Sequence, residues 1–146
     1  MRRYFIGVAA ALALGCGGST DPDHSRGPNP QAVIDVAPPA EITLAIGQSL
    51  RLRNPDLQVR FLAVPEDSRC PNNVTCVWAG DARIALAATG AVERAFDLHL
   101  PTEQIGSSKV VLGPYEIEAE ALEPAPVAGE DRRPEDLRLT LKVRRL

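Results

Sequence analysis

Two stretches near the C-terminal end of the chain alternate strictly between apolar and polar residues: Tyr115–Leu122 (YEIEAEAL) and Leu137–Val143 (LRLTLKV). A period of two sends successive side chains to opposite faces of a pleated strand, so this pattern specifies strands with one buried face and forbids helix. Tyr115, Ile117, Ala119 and Ala121 are predicted to face a core, as are Leu137, Leu139, Leu141 and Val143. Glu116, Glu118 and Glu120 face water on one strand, and Arg138, Thr140 and Lys142 on the other. Paired antiparallel, Glu120 would lie opposite Arg138 and Glu116 opposite Lys142. Each such ion pair adds about 0.3 kcal/mol, so the match fixes register more than stability.

The same reading extends backwards. Glu41–Ile46, Leu50–Leu52, Leu57–Val64, Val77–Trp78 with Ala82–Ala88, Val92–Leu100 and Val110–Leu112 read as strands, and Val33–Val36 as an edge strand docked on them. Eleven glycines and 13 prolines punctuate the chain, which suits many short strands and leaves no helical period after the N-terminal segment. The short Thr89–Ala91 connection makes Ala82–Ala88 and Val92–Leu100 a hairpin. Glu123–Asp136 (EPAPVAGEDRRPED) reads as a long, charged, mobile loop. About seven strands of this kind specify an all-β fold: a single antiparallel β-sandwich, of which the immunoglobulin-like arrangement is one form, or alternatively a small closed barrel.

The first 40 residues do not share this pattern. Met1–Gly15 (MRRYFIGVAAALALG) has a basic start, then an apolar run too short to span a bilayer, as export signals do. Ala13-Leu14-Gly15-Cys16 resembles a bacterial lipobox, with the usual Leu-Ala order reversed. The resemblance implies that residues 1–15 are removed and that Cys16 becomes an acylated first residue, anchored in a lipid bilayer. Gly17, rather than an aspartate, favours the outer membrane within the cell envelope. Residues 16–40, with Pro22, Pro28, Pro30, Pro38 and Pro39, form a tether. Residues 41–146 are the β-sandwich domain, roughly 105 residues and enough for one core. Hydrophobic residues make up 45% of the chain, which supports a packed core. Removing residues 1–15 leaves 14 basic against 19 acidic residues, a charge of −5 with no basic cluster, which argues against nucleic acid as partner.

Within the domain, Asp67–Gly80 (DSRCPNNVTCVWAG) stands apart. With Cys16 acylated, Cys70 and Cys76 remain, and in an oxidising compartment a local pair is most simply a disulfide. C-x₅-C is not a zinc spacing, His99 is the one histidine of the domain, and the C-x-x-C of redox sites is absent, so no metal or cofactor is expected. Pro71 and Asn72-Asn73 supply the turn. Asp67 and Ser68 can bond the loop's backbone amides. Trp78, two residues past Cys76, is expected on the same strand face, packed on the disulfide as a core anchor rather than exposed for stacking. Gly80 allows a sharp bend or a close backbone approach. The pattern D-S-R-C-P-x-x-V-x-C-x-W-x-G, here Asp67, Ser68, Arg69, Cys70, Pro71, Val74, Cys76, Trp78 and Gly80, resembles one recurring in small bacterial lipoproteins and secreted proteins of uncharacterised function. That resemblance implies location and size, not an activity.

No nucleophile motif, phosphate loop or dinucleotide fingerprint occurs. Glu116, Glu118 and Glu120 read as a solvated strand face rather than a glycosidase pair. His99 is expected on a solvent-facing strand position. The chain therefore reads as a non-catalytic binding or structural module of the envelope, with an envelope protein or glycan as partner of its loops. The alternative is a hydrolase-like envelope enzyme using a pocket near His99.

Overall fold

The computed structural model describes residues 29–100 and 106–146; residues 1–15, read from the sequence as an export signal, Cys16 and most of the expected tether lie outside the described residues. The described residues form nine strands: β1 (Val33–Asp35), β2 (Ala40–Ala45), β3 (Ser49–Arg53), β4 (Asp56–Asp67), β5 (Ala82–Gly90), β6 (Arg94–Leu100), β7 (Lys109–Leu112), β8 (Tyr115–Glu123) and β9 (Arg138–Arg145). They build two sheets, ordered β1-β3-β4-β5-β6 and β2-β9-β8-β7. Among the described residues each sheet keeps two unpaired edges, so the architecture is an open all-β sandwich and not a barrel. Two meanders, β3 to β6 and β7 to β9, supply most of it. β1 and β2 dock as edge strands, one on each sheet, and β1 runs parallel to β3.

The inner faces are those the alternation marks. Leu50, Leu52, Leu57, Val59, Phe61, Ile84, Leu86 and Leu98 from one sheet meet Leu44, Ile117, Leu139, Leu141 and Val143 from the other, all buried. Each large side chain so placed contributes about 1.5–3 kcal/mol of burial. The hairpin forms as expected, with Leu86 opposite Phe96 and Ile84 opposite Leu98.

The β8–β9 register differs from the expected one. Glu116 lies opposite Arg144 and Glu118 opposite Lys142, two residues along, and a bulge between Ala119 and Ala121 then shifts the pairing so that Glu123 meets Arg138. A slip of two residues keeps every side chain on its face, so the apolar pattern cannot choose between these registers. The bulge also swaps the ends of the pattern: Leu122 is buried and Ala121 is not. The acidic row still meets bases, Glu120 with Lys142 at 2.9 Å, Glu118 with Lys109 at 3.2 Å, and Glu116 with Arg144.

Phe61 sits fully buried at the centre of β4. Phe61→Ala is expected to lower stability by about 3–5 kcal/mol, read as a shift in the urea unfolding midpoint, whereas Lys142→Ala at the solvated face should cost less than about 1 kcal/mol.

Candidate functional site

β4 ends at Asp67 and β5 begins at Ala82, and the chain between them projects beyond the end of its sheet. Its base is stitched shut. The Ser68 backbone N–H donates to the Asp81 carbonyl at 2.7 Å, and the Ser68 hydroxyl accepts from the Asp81 N–H at 3.1 Å. One rung higher, the Cys70 N–H donates to the Ala79 carbonyl at 2.9 Å. Gly80 lies in the left-handed region at φ 71°, where a Cβ would sit 1.8 Å from the Ser68 carbonyl oxygen, so the close approach read from the sequence is real and admits only glycine. Cys70 and Cys76 are joined by a disulfide, and Val74 N–H closes the Pro71 turn at 3.3 Å.

The loop is also bolted sideways. The Asp67 carboxylate accepts from Arg69 Nε at 2.9 Å and Nη2 at 2.8 Å, and pairs with Arg132 Nη2 at 2.8 Å. Arg69 Nη1 reaches on to the Leu122 carbonyl at 2.5 Å. Burial pushes the Asp67 carboxyl upward, but the bonds and charges of Arg69 and Arg132 outweigh it and hold the group below the ordinary carboxylate value. Asn72 N–H donates to the Pro126 carbonyl at 2.9 Å, and the Asn73 side chain accepts from Ala128 N–H at 2.8 Å and donates to the Ala128 carbonyl at 3.3 Å. The Glu123–Asp136 segment, expected to be mobile, is therefore the buttress of the loop: Pro126 is buried, and Arg132 is fixed on Asp67.

What this frame displays is apolar. Val77 is 90% and Trp78 78% exposed, with Val74 beside them on the same loop. This corrects two expectations. Val77–Trp78 is not strand, because β5 pairing starts only at Ala82, and Trp78 is not a core anchor packed on the disulfide. The two-residue spacing from Cys76 fixes a common face only inside a ladder, and this stretch lies beyond the end of the sheet, over no core. The motif residues thus sort by physical role. Asp67, Ser68, Arg69, Cys70, Pro71, Cys76 and Gly80 build the frame; Val74 and Trp78 are what it holds out.

His99 is a third correction. Instead of facing solvent it is largely covered, with Nδ1 2.7 Å from Asp81 Oδ2. A Cβ on Gly106 would lie 2.3 Å from the imidazole, so the backbone passes directly over the ring. Asp81 Oδ1 is buried with no partner among the described residues. The carboxylate orients the imidazole as in an acid–base pair, but among the described residues no hydroxyl or thiol bonds the ring. Sequence reasoning gave no role to Arg132, Pro126 or the Asp81 carboxylate. Apart from the bond of Arg132 to the Pro124 carbonyl, their partners lie 18 to 65 positions away, and no local pattern marks them.

A carboxyl held below its ordinary value stabilises the fold fully at neutral pH. That contribution is lost as pH falls below about 4 and through the depressed folded value. Asp67→Asn is expected to cost about 2–3 kcal/mol at pH 7, and its deficit against the native protein should shrink in acid; a pH-independent deficit in urea unfolding would contradict the assignment.

No known protein family, curated protein or solved structure matches the chain.

Proposed function

We propose that the protein is a lipid-anchored lipoprotein of the cell envelope, most simply in the outer membrane, that acts as a non-catalytic binding module through its disulfide-closed loop. The observation that carries this reading is Trp78, 78% exposed on a loop fixed by a disulfide, a partly buried ion cluster and side-chain docking. An indole held in water on a rigid frame has already met the ordering cost of binding, and tryptophan is the residue type that most often dominates interfaces. Cys70–Gly80 contains no charged side chain, so the partner presents a neutral surface, an envelope protein or glycan. Lipobox-like Cys16 supports the anchor and implies the bilayer as a second partner. The acidic domain speaks against nucleic acid. The alternative, a hydrolase-like enzyme, would rest on the Asp81–His99 contact.

The anchor is tested by intact mass from the membrane fraction of the native host. The expected mass lacks residues 1–15, carries acyl chains, and gains two hydrogens on reduction; an unacylated mass sinks the anchoring claim.

The binding surface is tested at Trp78. Because it is the only tryptophan, its fluorescence reports on the loop alone. Solubilised envelope proteins and peptidoglycan fragments are added separately, and one of them should blue-shift the emission. Trp78→Ala should change unfolding stability by less than about 0.5 kcal/mol and weaken that binding by about 2 kcal/mol or more. If His99→Ala abolishes an envelope hydrolytic activity while Trp78→Ala leaves every interaction intact, the enzyme reading replaces this one.

A further inference from the structure

A second site lies on the far side of the Asp67 cluster. β4 carries register breaks between Phe61 and Ala63 and between Ala63 and Glu66. Bulges bend a strand and leave a residue out of the ladder; here Leu62 is skipped and is 40% exposed. The result is a groove of about 410 Å³ between the two sheets, within the size range of small-molecule sites. Its walls are Ile46 after β2, Leu62 and Val64 on β4, and Leu137 ahead of β9. At one end stand Asp67 and Arg132.

The charge at that end is not balanced. Asp67 is the only carboxylate lining the groove among the described residues, and it is shared by two guanidinium groups. Neighbouring acids sit on exposed positions, where water screens them, and bond other bases: Glu66 with Arg83, which Asp97 shares, and Glu135 and Asp136 both with Arg133. Arg69 spends its donors on Asp67 and on the Leu122 and Pro124 carbonyls. Arg132 contacts only Asp67 and the Pro124 carbonyl among the described residues, which leaves N–H groups free for a further acceptor. An apolar groove ending in a partly buried cluster of two guanidinium groups and one carboxylate, with N–H groups of Arg132 still free, is complementary to an amphiphile with an acidic head.

We infer that this groove is a binding site for a single-chain amphiphile with an acidic head, of the fatty-acid carboxylate class, its chain along Leu62, Val64 and Ile46 and its head on Arg132. The site is separate from the Trp78 surface and does not depend on the function proposed for it.

The test uses the full chain in phospholipid nanodiscs and a photoreactive diazirine analogue of decanoate, with labelled residues mapped by mass spectrometry. Labelling is expected in segments 62–64 and 134–137, and excess decanoate should suppress it. The matching alcohol and trimethylammonium analogues should label these segments at least about tenfold less, the scale of a lost charge-assisted hydrogen bond. Leu62→Glu places a carboxylate on the groove wall at an already exposed position and leaves the Asp67 cluster intact; it should abolish the labelling. Arg132→Gln should reduce it by about tenfold, and Arg132→Lys should restore part of it. Trp78→Ala should label as the native protein does. Diffuse labelling, labelling that survives Leu62→Glu, or equal labelling by the cationic analogue would overturn the inference.

Discussion

One carboxylate, that of Asp67, is where three parts of the molecule meet. It ends β4, receives Arg69 from the base of the disulfide loop, and receives Arg132 from the long connection between β8 and β9. A partly buried charge is tolerable only when its partners are close and its remaining lone pairs are bonded, and here two guanidinium groups and a backbone amide do that. The geometry therefore couples two loop residues 63 positions apart, Arg69 and Arg132, to a single strand end. Without it the projecting loop would keep only its base, the Arg69–Leu122 bond and the Asn72 and Asn73 contacts with Pro126 and Ala128.

The disulfide works at a different level. A bridge between positions six apart closes too small a ring to do much for global stability. Its effect is to hold the turn after Pro71 over the Cys70–Ala79 rung, so that Asn72 and Asn73 meet the Pro126–Ala128 segment. The covalent link and the ion cluster thus constrain the two ends of one small platform, and the apolar side chains it carries have nowhere inside the protein to go.

The sandwich was legible because burial has a period. Leu137, Leu139, Leu141 and Val143 are buried just as alternation requires, and so is the facing set in β4 and β5. What alternation cannot encode is anything invariant to a two-residue slip, and the β8–β9 register was misjudged for that reason. The disulfide was legible from cysteine arithmetic. Trp78 was not, because hydrophobicity and spacing say that a residue prefers burial but not whether a sheet lies beneath it. Arg132 and Pro126 were invisible because the contacts that immobilise their segment come from across the fold, while their local composition reads as solvent-exposed chain. His99 likewise takes its surroundings from Asp81 and Gly106, one on a neighbouring strand end and one on the next connection.

The unequal seating of the first two strands has a mechanical consequence. β1 is three residues long and holds one edge through its short parallel ladder on β3 and the Arg53–Asp35 pair, whereas β2 has a six-residue antiparallel ladder on β9. A pulling force that arrives through the chain ahead of Asn29 loads the Asn29–Gln48 and Ala32–Ser49 bonds and then β1. Its detachment frees residues 33–39, about 25 Å of extended chain, while the sandwich and the projecting loop stay intact. The domain carries its own slack, released under tension when the Ile34 and Val36 contacts at the rim of the core give way and before the central strands are strained.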